Sequence, residues 1–262
     1  MTSYYDLPLL KPPVWTWEVP TYFFIGGAAG MASVLAVAAQ LSGADEKLVR
    51  DARWIAAIGA NLSTPLLIAD LGRPERFLHM LRVFKPQSPM SVGAWTLVAF
   101  GGASTVAAIA PWKALRDGSS LIAALTGLSM ATYTGVLLGA TAIPVWKEHV
   151  RTLPAHFAAS ALGSAVSLLE LRGHRHRALR SLGLGASLYE TAAGFTLANK
   201  RDVLASALSG PVPFALRLLG RRKVAAAATL LGSLLTRFAW VEAGKESAKN
   251  AHAALTPERA PT

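Results

Sequence analysis

The sequence predicts an all-α, polytopic membrane helical bundle with about eight transmembrane helices, and three observations lead there. Of 262 residues, 52% are hydrophobic and only 16% charged, where soluble domains average about 25% charged. Mean hydropathy is positive, at +0.38. Apolar runs of about 17–28 residues, long enough to cross a bilayer, recur along the chain. They fall at 20–42, 52–71, 91–111, 119–146, 153–171, 178–198, 203–219 and 224–244. The formal charge of +11 would suggest nucleic acid in a soluble protein. In this setting it reads as basic loops beside anionic lipid headgroups, so membrane lipid and not nucleic acid is the expected partner. The absence of Cys excludes disulfides, thiolate-bound zinc and Cys-ligated iron–sulfur clusters within the chain.

The first twenty residues are polar and proline-bearing, without the basic and apolar pattern of a cleavable signal. Insertion is therefore expected to rely on the first span, whose Gly26, Gly27, Ala28, Ala29 and Gly30 permit close helix contact. The second span closes on Asp70, and an ionisable group near bilayer depth is costly enough to suggest a function. Gly72 and Pro74 stop that helix. Ser88-Pro89-Met90-Ser91 offers cap hydroxyls to the next one. The polar stretch between them, within 66–95, is the best candidate for a site. Spans three and four follow, then four more. The seventh is the weakest, with Gly210, Pro211 and Pro213 inside it and Arg217 near its end; a broken or re-entrant segment there would leave seven. A polar tail runs from 245 to 262, and neither linker nor internal repeat interrupts this single membrane domain.

An even span number puts both termini on one face, side A. Lys and Arg divide almost evenly between the faces, so charge does not orient the chain. The chemistry is less even, because Trp15, Trp17, Glu18, Asp70, Arg73, Glu75, His79, Trp146, Glu148 and His149 all map to side A. That face is the expected working face.

Four segments in order, VWTWEVPTYFFIGGAAGMAS, LIADLGRPERFLHML, SPMSVGAW and YTGVLLGATAIPVW, together resemble the NrfD/PsrC family, the membrane subunits of polysulfide-reductase-type complexes. The likeness is dense over about 14–165 and returns at LLGSLLTRFAWVEAG near the last span. The resemblance implies eight helices in two four-helix bundles, here 20–146 and 153–244, with a quinone site in the first. It also implies a subunit that lacks the catalytic centre and has no redox cofactor of its own. Such a subunit exchanges electrons between menaquinone or ubiquinone and a ferredoxin-like iron–sulfur subunit, which wires to a molybdopterin catalytic subunit. The expected location is the cell inner (cytoplasmic) membrane, in anaerobic respiration.

The residues can be weighed beside that resemblance. Heme needs axial His at membrane depth on facing helices. Of His79, His149, His156, His174, His176 and His252, only His156 lies inside a span, so no heme is expected. Quinone chemistry needs an apolar slot, hydrogen bonds to two carbonyl oxygens and a proton route. Tyr133, about 21 Å into span four, can donate to a quinone oxygen or bridge helices. Glu18 can carry protons or complement a helix dipole. Asp70 can relay protons or lock its turn by pairing with Arg73 or Arg76. Asn61 can contact quinone or satisfy helix backbone. Trp146, like Trp15, Trp17 and Tyr22, is an interfacial aromatic that could stack on a quinone ring. The run from Arg172 to Arg177 reads as a lipid-facing basic loop. Glu190 and Arg237 share a depth in spans six and eight, which predicts direct contact, either as a structural bridge or on a proton path. Two rival functions stay open: a proton-translocating subunit of such a complex, and a purely structural anchor.

Overall fold

The computed structural model describes residues 10–73, 75–197 and 203–249, without the side chains of 195–197. Among the described residues every regular element is helical. The helices are α1 (Glu18–Leu41), α2 (Glu46–Asp70), α3 (Glu75–Arg82), α4 (Pro89–Ile109), α5 (Lys113–Gly139), α6 (Pro144–Glu148), α7 (Leu153–Leu171), α8 (Arg177–Leu197), α9 (Val203–Ser209), α10 (Pro211–Leu218) and α11 (Arg222–Lys249). Local signals account for several ends. The Asp45 carboxylate accepts from the Lys47 N–H to open α2, and Ser88 accepts from Ser91 to open α4 behind Pro89. Gly72 closes α2 with φ +67°, a left-handed conformation that a side chain resists. Pro74, expected to reinforce that stop, lies outside the described residues, as do 199–202 and the tail beyond 249.

Among the described residues four helices, α1, α4, α5 and α11, are long and apolar enough to cross a membrane. A fifth span results if α2 and α3 count together across their 107° bend. The expectation of about eight spans is therefore met only in part. α7 and α8 have the length, at 19 and 21 residues, but they bury His156, Ser160, Ser164, Ser167, Glu170, Ser187 and Glu190, which lowers their apolarity. The expected seventh span divides at Gly210 into α9 and α10. The expected fourth span also ends early, at Gly139, and 144–148 form the separate α6. α11 runs on through Lys249, so the first residues assigned to the polar tail are helical.

α1 packs against α2 and α5, and α4 closes that group by touching both of them. α7, α8, α10 and α11 form a second set of contacts, with α9 held between α8 and α11; α7 and α11 also reach α1. The small residues of α1 serve three neighbours at once. A Cβ on Gly30 would lie 2.2 Å from the Gly127 carbonyl oxygen of α5. Gly27 meets Ala161 of α7, and Ala29 meets Gly59 of α2. Beside the Gly30–Gly127 crossing, the Ser33 hydroxyl donates to the carbonyls of Gly30 and Ala123 at 2.6 and 2.9 Å. Gly30→Ala must push backbone from backbone and is expected to cost about 1–3 kcal/mol, read as a lowered Tm in detergent.

At the end opposite the 72–90 loop, charges tie the helices together. Asp51 of α2 bonds Arg172 at 3.3 Å and His174 at 2.9 Å. Arg53 bonds Asp117 at 3.0 Å and Gln40 at 2.6 Å. The run at 172–177 is thus not wholly lipid-facing. Two of its members clamp the start of α2, because Asp51, buried at the helix start, needs partners.

Candidate functional site

Four helix ends and α3 converge on one cleft. α1 brings Val19, Tyr22 and Phe23, with Trp15 just ahead of it, and α2 brings Leu67 and Asp70. α4 brings Met90, Gly93 and Ala94; α5 brings Tyr133 and Leu137; and Met80 of α3 closes the rim. The spacings explain the convergence, since Met90/Gly93/Ala94 and Tyr133/Leu137 stand three or four residues apart and so share a helix face. Gly93 makes room for the phenol: a Cβ there would lie 2.1 Å from the Tyr133 ring. The cleft is nearly closed, at about 40 Å³.

Its polar groups are few, and of them Asp70 accepts from the Thr16 backbone N–H. Neither the Tyr22 nor the Tyr133 hydroxyl makes a hydrogen bond among the described residues. The Asp70 carboxylate makes no ion pair with Arg73 or Arg76, against the expected turn lock; Arg76 donates instead to the Leu71 carbonyl at 3.2 Å. Glu18, whose carboxylate accepts from the Thr16 hydroxyl, is close enough to Asp70 for the two charges to repel. The cleft can therefore offer two phenol donors within apolar walls and two adjoining carboxylates at its mouth.

The structure brings Tyr133 and Asp70 together on this cleft, with Glu18 beside it, but not the other expected residues. Asn61 donates to the Ala57 carbonyl at 2.8 Å and to Thr105 at 2.9 Å, so it joins α2 to α4 away from the cleft. Trp146 is fully buried; its indole N–H donates to the Trp240 carbonyl at 2.8 Å. It backs the cleft through Trp15, on which it stacks at 5.4 Å. Tyr22, read from sequence as an interfacial aromatic, is 2% exposed and lines the cleft. The available signal was its place one turn after Glu18, on the same helix face.

Glu190 and Arg237 lie in the second set of helices. They share a buried region but do not touch as expected. The Arg237 guanidinium donates to the Phe157 carbonyl at 3.0 Å and sits 3.8 Å over the Phe157 ring. His156 is the group beside Glu190, with its Nδ1 3.5 Å from a carboxylate oxygen. Equal depth fixes one coordinate of two side chains; helix rotation turned Arg237 toward α7. A second buried charge went unread. Arg217, 0% exposed, bonds Glu170 at 3.1 Å, Ser167 at 2.9 Å, Ser187 at 2.8 Å and Thr229 at 3.0 Å. Among the described residues, no cluster of three or more His, Asp or Glu could hold a metal ion.

The family NrfD_2, described as polysulfide reductase, matches residues 1–200, which include every residue that lines the cleft. A comparison with curated proteins finds no match. Together with the long apolar helices, the family match makes this a multi-pass membrane protein and a subunit of an oxidoreductase complex. On a match that spans about three quarters of its length, the chain belongs to the NrfD-like polysulfide reductase family.

Proposed function

We propose that the chain is the quinone-reactive membrane subunit of a molybdopterin and iron–sulfur oxidoreductase complex. One observation carries this reading: two phenols that make no hydrogen bond among the described residues share one apolar cleft, at the end of the α1, α2, α4 and α5 group, with an Asp70 carboxylate that accepts from the Thr16 backbone and makes no ion pair with Arg73 or Arg76. The chemistry of the donors suits a quinone, a carrier of two electrons and two protons. Tyr133 and Tyr22 would donate to its carbonyl oxygens, Val19, Phe23, Leu67 and Leu137 would flank its ring, and Trp15 would wall it from the second group of helices. Room is short at about 40 Å³, little more than one water molecule. Ring entry therefore requires Met80 and Met90 to swing, which unbranched side chains of this kind do readily.

Asp70 and Glu18 hold protons at the mouth and pass them between the cleft and the water of side A. Electrons need a close acceptor outside this chain, so a ferredoxin-like iron–sulfur subunit would dock on side A, over α3 and the 139–152 connection, and lead to the molybdopterin subunit. The same reading takes α7, α8 and the α9–α10 pair as further crossings, eight in all, in two four-helix bundles within the cytoplasmic membrane. A second reading, proton translocation, draws on Glu190. Its carboxylate is buried beside His156 and near the Ser209 hydroxyl, with no cation within ion-pair distance other than His156 among the described residues, and such a group in a membrane bundle is a proton-path candidate.

Purification from membranes in mild detergent tests the main reading, with mass spectrometry of co-purifying chains and extracted lipids. An iron–sulfur protein, a molybdopterin subunit and bound menaquinone or ubiquinone are expected. A lone chain without quinone, in a detergent that preserves membrane complexes, would overturn it.

A further inference from the structure

A second recess lies at the far end of the molecule from the cleft. α7 starts beside the cleft end of α5, where Gly135 meets the Leu153 backbone, and finishes at Leu171 next to the Asp51 clamp. There the 172–176 loop, the start of α8 and the turn from α10 into α11 enclose about 660 Å³. Arg175, Arg180, Arg221, Arg222 and Lys223 line it, with His174 at the edge. Among the described residues none of these five cations pairs with a carboxylate. The one acid in the wall, Glu170, bonds the buried Arg217 at 3.1 Å and also feels the charge of Arg222, so it offsets little of the remaining cationic charge. Five like charges around one recess repel each other unless an anion sits among them.

The surroundings identify the kind of anion. Leu218, Leu219 and Val224 are exposed large apolar residues next to the recess, and Leu171 and Leu182 are exposed on the adjoining helices. Charge in the hollow and apolar surface running away from it match a headgroup with acyl chains, the pattern of a basic lipid pocket between membrane helices. A phosphodiester carries one negative charge, so a headgroup with two phosphates offsets twice as many of the five cations as a headgroup with one. We infer that the Arg175–Arg180–Arg221–Arg222–Lys223 recess binds an anionic phospholipid that carries two phosphates, of the cardiolipin type, with its acyl chains along Leu218, Leu219 and Val224. The site lies opposite the cleft and stands independently of quinone chemistry there.

The test uses the full chain, purified in detergent and stripped of lipid. Tetraoleoyl cardiolipin, dioleoyl phosphatidylglycerol at equal phosphate, and inorganic pyrophosphate are added in turn, with binding read by native mass spectrometry and by Tm. Cardiolipin is expected to bind at least about tenfold more tightly than phosphatidylglycerol and to raise Tm. The triple variant Arg175→Gln/Arg221→Gln/Lys223→Gln is expected to lose about tenfold or more of that affinity while keeping its lipid-free Tm. Lys47→Gln/Arg50→Gln/Lys113→Gln removes the same charge from exposed positions elsewhere at this end and is expected to bind as the parent does. Equal binding of phosphatidylglycerol, pyrophosphate as effective as cardiolipin, or undiminished binding by the site variant would each overturn the assignment.

Discussion

Tyr133→Phe is expected to leave the chain as stable as the parent while quinol turnover by the intact complex falls about 10- to 100-fold. The hydroxyl has no hydrogen-bond partner among the described residues, so its removal strands no buried group. What is lost is one donor to the quinone, about 1–3 kcal/mol, and each 1.36 kcal/mol is tenfold in rate. The measurement is quinol oxidation or quinone reduction in the assembled complex, with Tm in parallel. Unchanged turnover would favour the purely structural anchor. A fall in both activity and Tm would mean that the phenol holds helices together, and would remove Tyr133 from the quinone assignment.

Arg217→Met is expected to be the most damaging single change to the fold. It leaves the Glu170 carboxylate in place without its cation, and breaking a buried pair on one side costs about 3–5 kcal/mol. Ser167, Ser187 and Thr229 lose less, because each hydroxyl also donates to a carbonyl of its own helix. Adding Glu170→Gln to the variant removes the stranded charge and should restore a large part of the loss. Reversible unfolding in detergent reads both. If the single variant loses less than about 1 kcal/mol, water or lipid headgroups reach Glu170 and the pair is not sealed as the geometry indicates.

What the sequence could reveal divides along physical lines. Signals carried by the local chain were readable: the Ser88 cap before Pro89, the Gly72 stop, the small-residue stripe of α1, and the placement of Glu18 and Asp70 on one working face. Each depends on a residue and its near neighbours, or on depth counted along a helix. Rotation about the helix axis was not readable, since it is set by packing against other helices. That is why Asn61 turned toward Thr105 and Arg237 toward Phe157, and why Trp146 stands behind the cleft instead of in it. The span count fell short for a related reason. α7 and α8 face protein on much of their surface, so they can carry serines, His156, Glu170 and Glu190 that a lipid-facing helix would not. The Arg172 and His174 partnership with Asp51 spans 121 and 123 residues, beyond the reach of any local pattern.

The stacked indoles behind the cleft bear on how the protein is made. Trp146 is seated by a hydrogen bond to a residue 94 positions later in the chain, against Gly244, where a Cβ would lie 2.1 Å from its ring. Trp15 in turn rests on Trp146. During synthesis, α1, α2, α4 and α5 can assemble early, but the wall that Trp15 presents to the cleft has no firm backing until α11 has entered the membrane and docked. Maturation of the site therefore waits on α11, which is made well after the helices that line it. A nascent or truncated chain that ends before Trp240 would carry every residue that lines the cleft and still hold it unfinished.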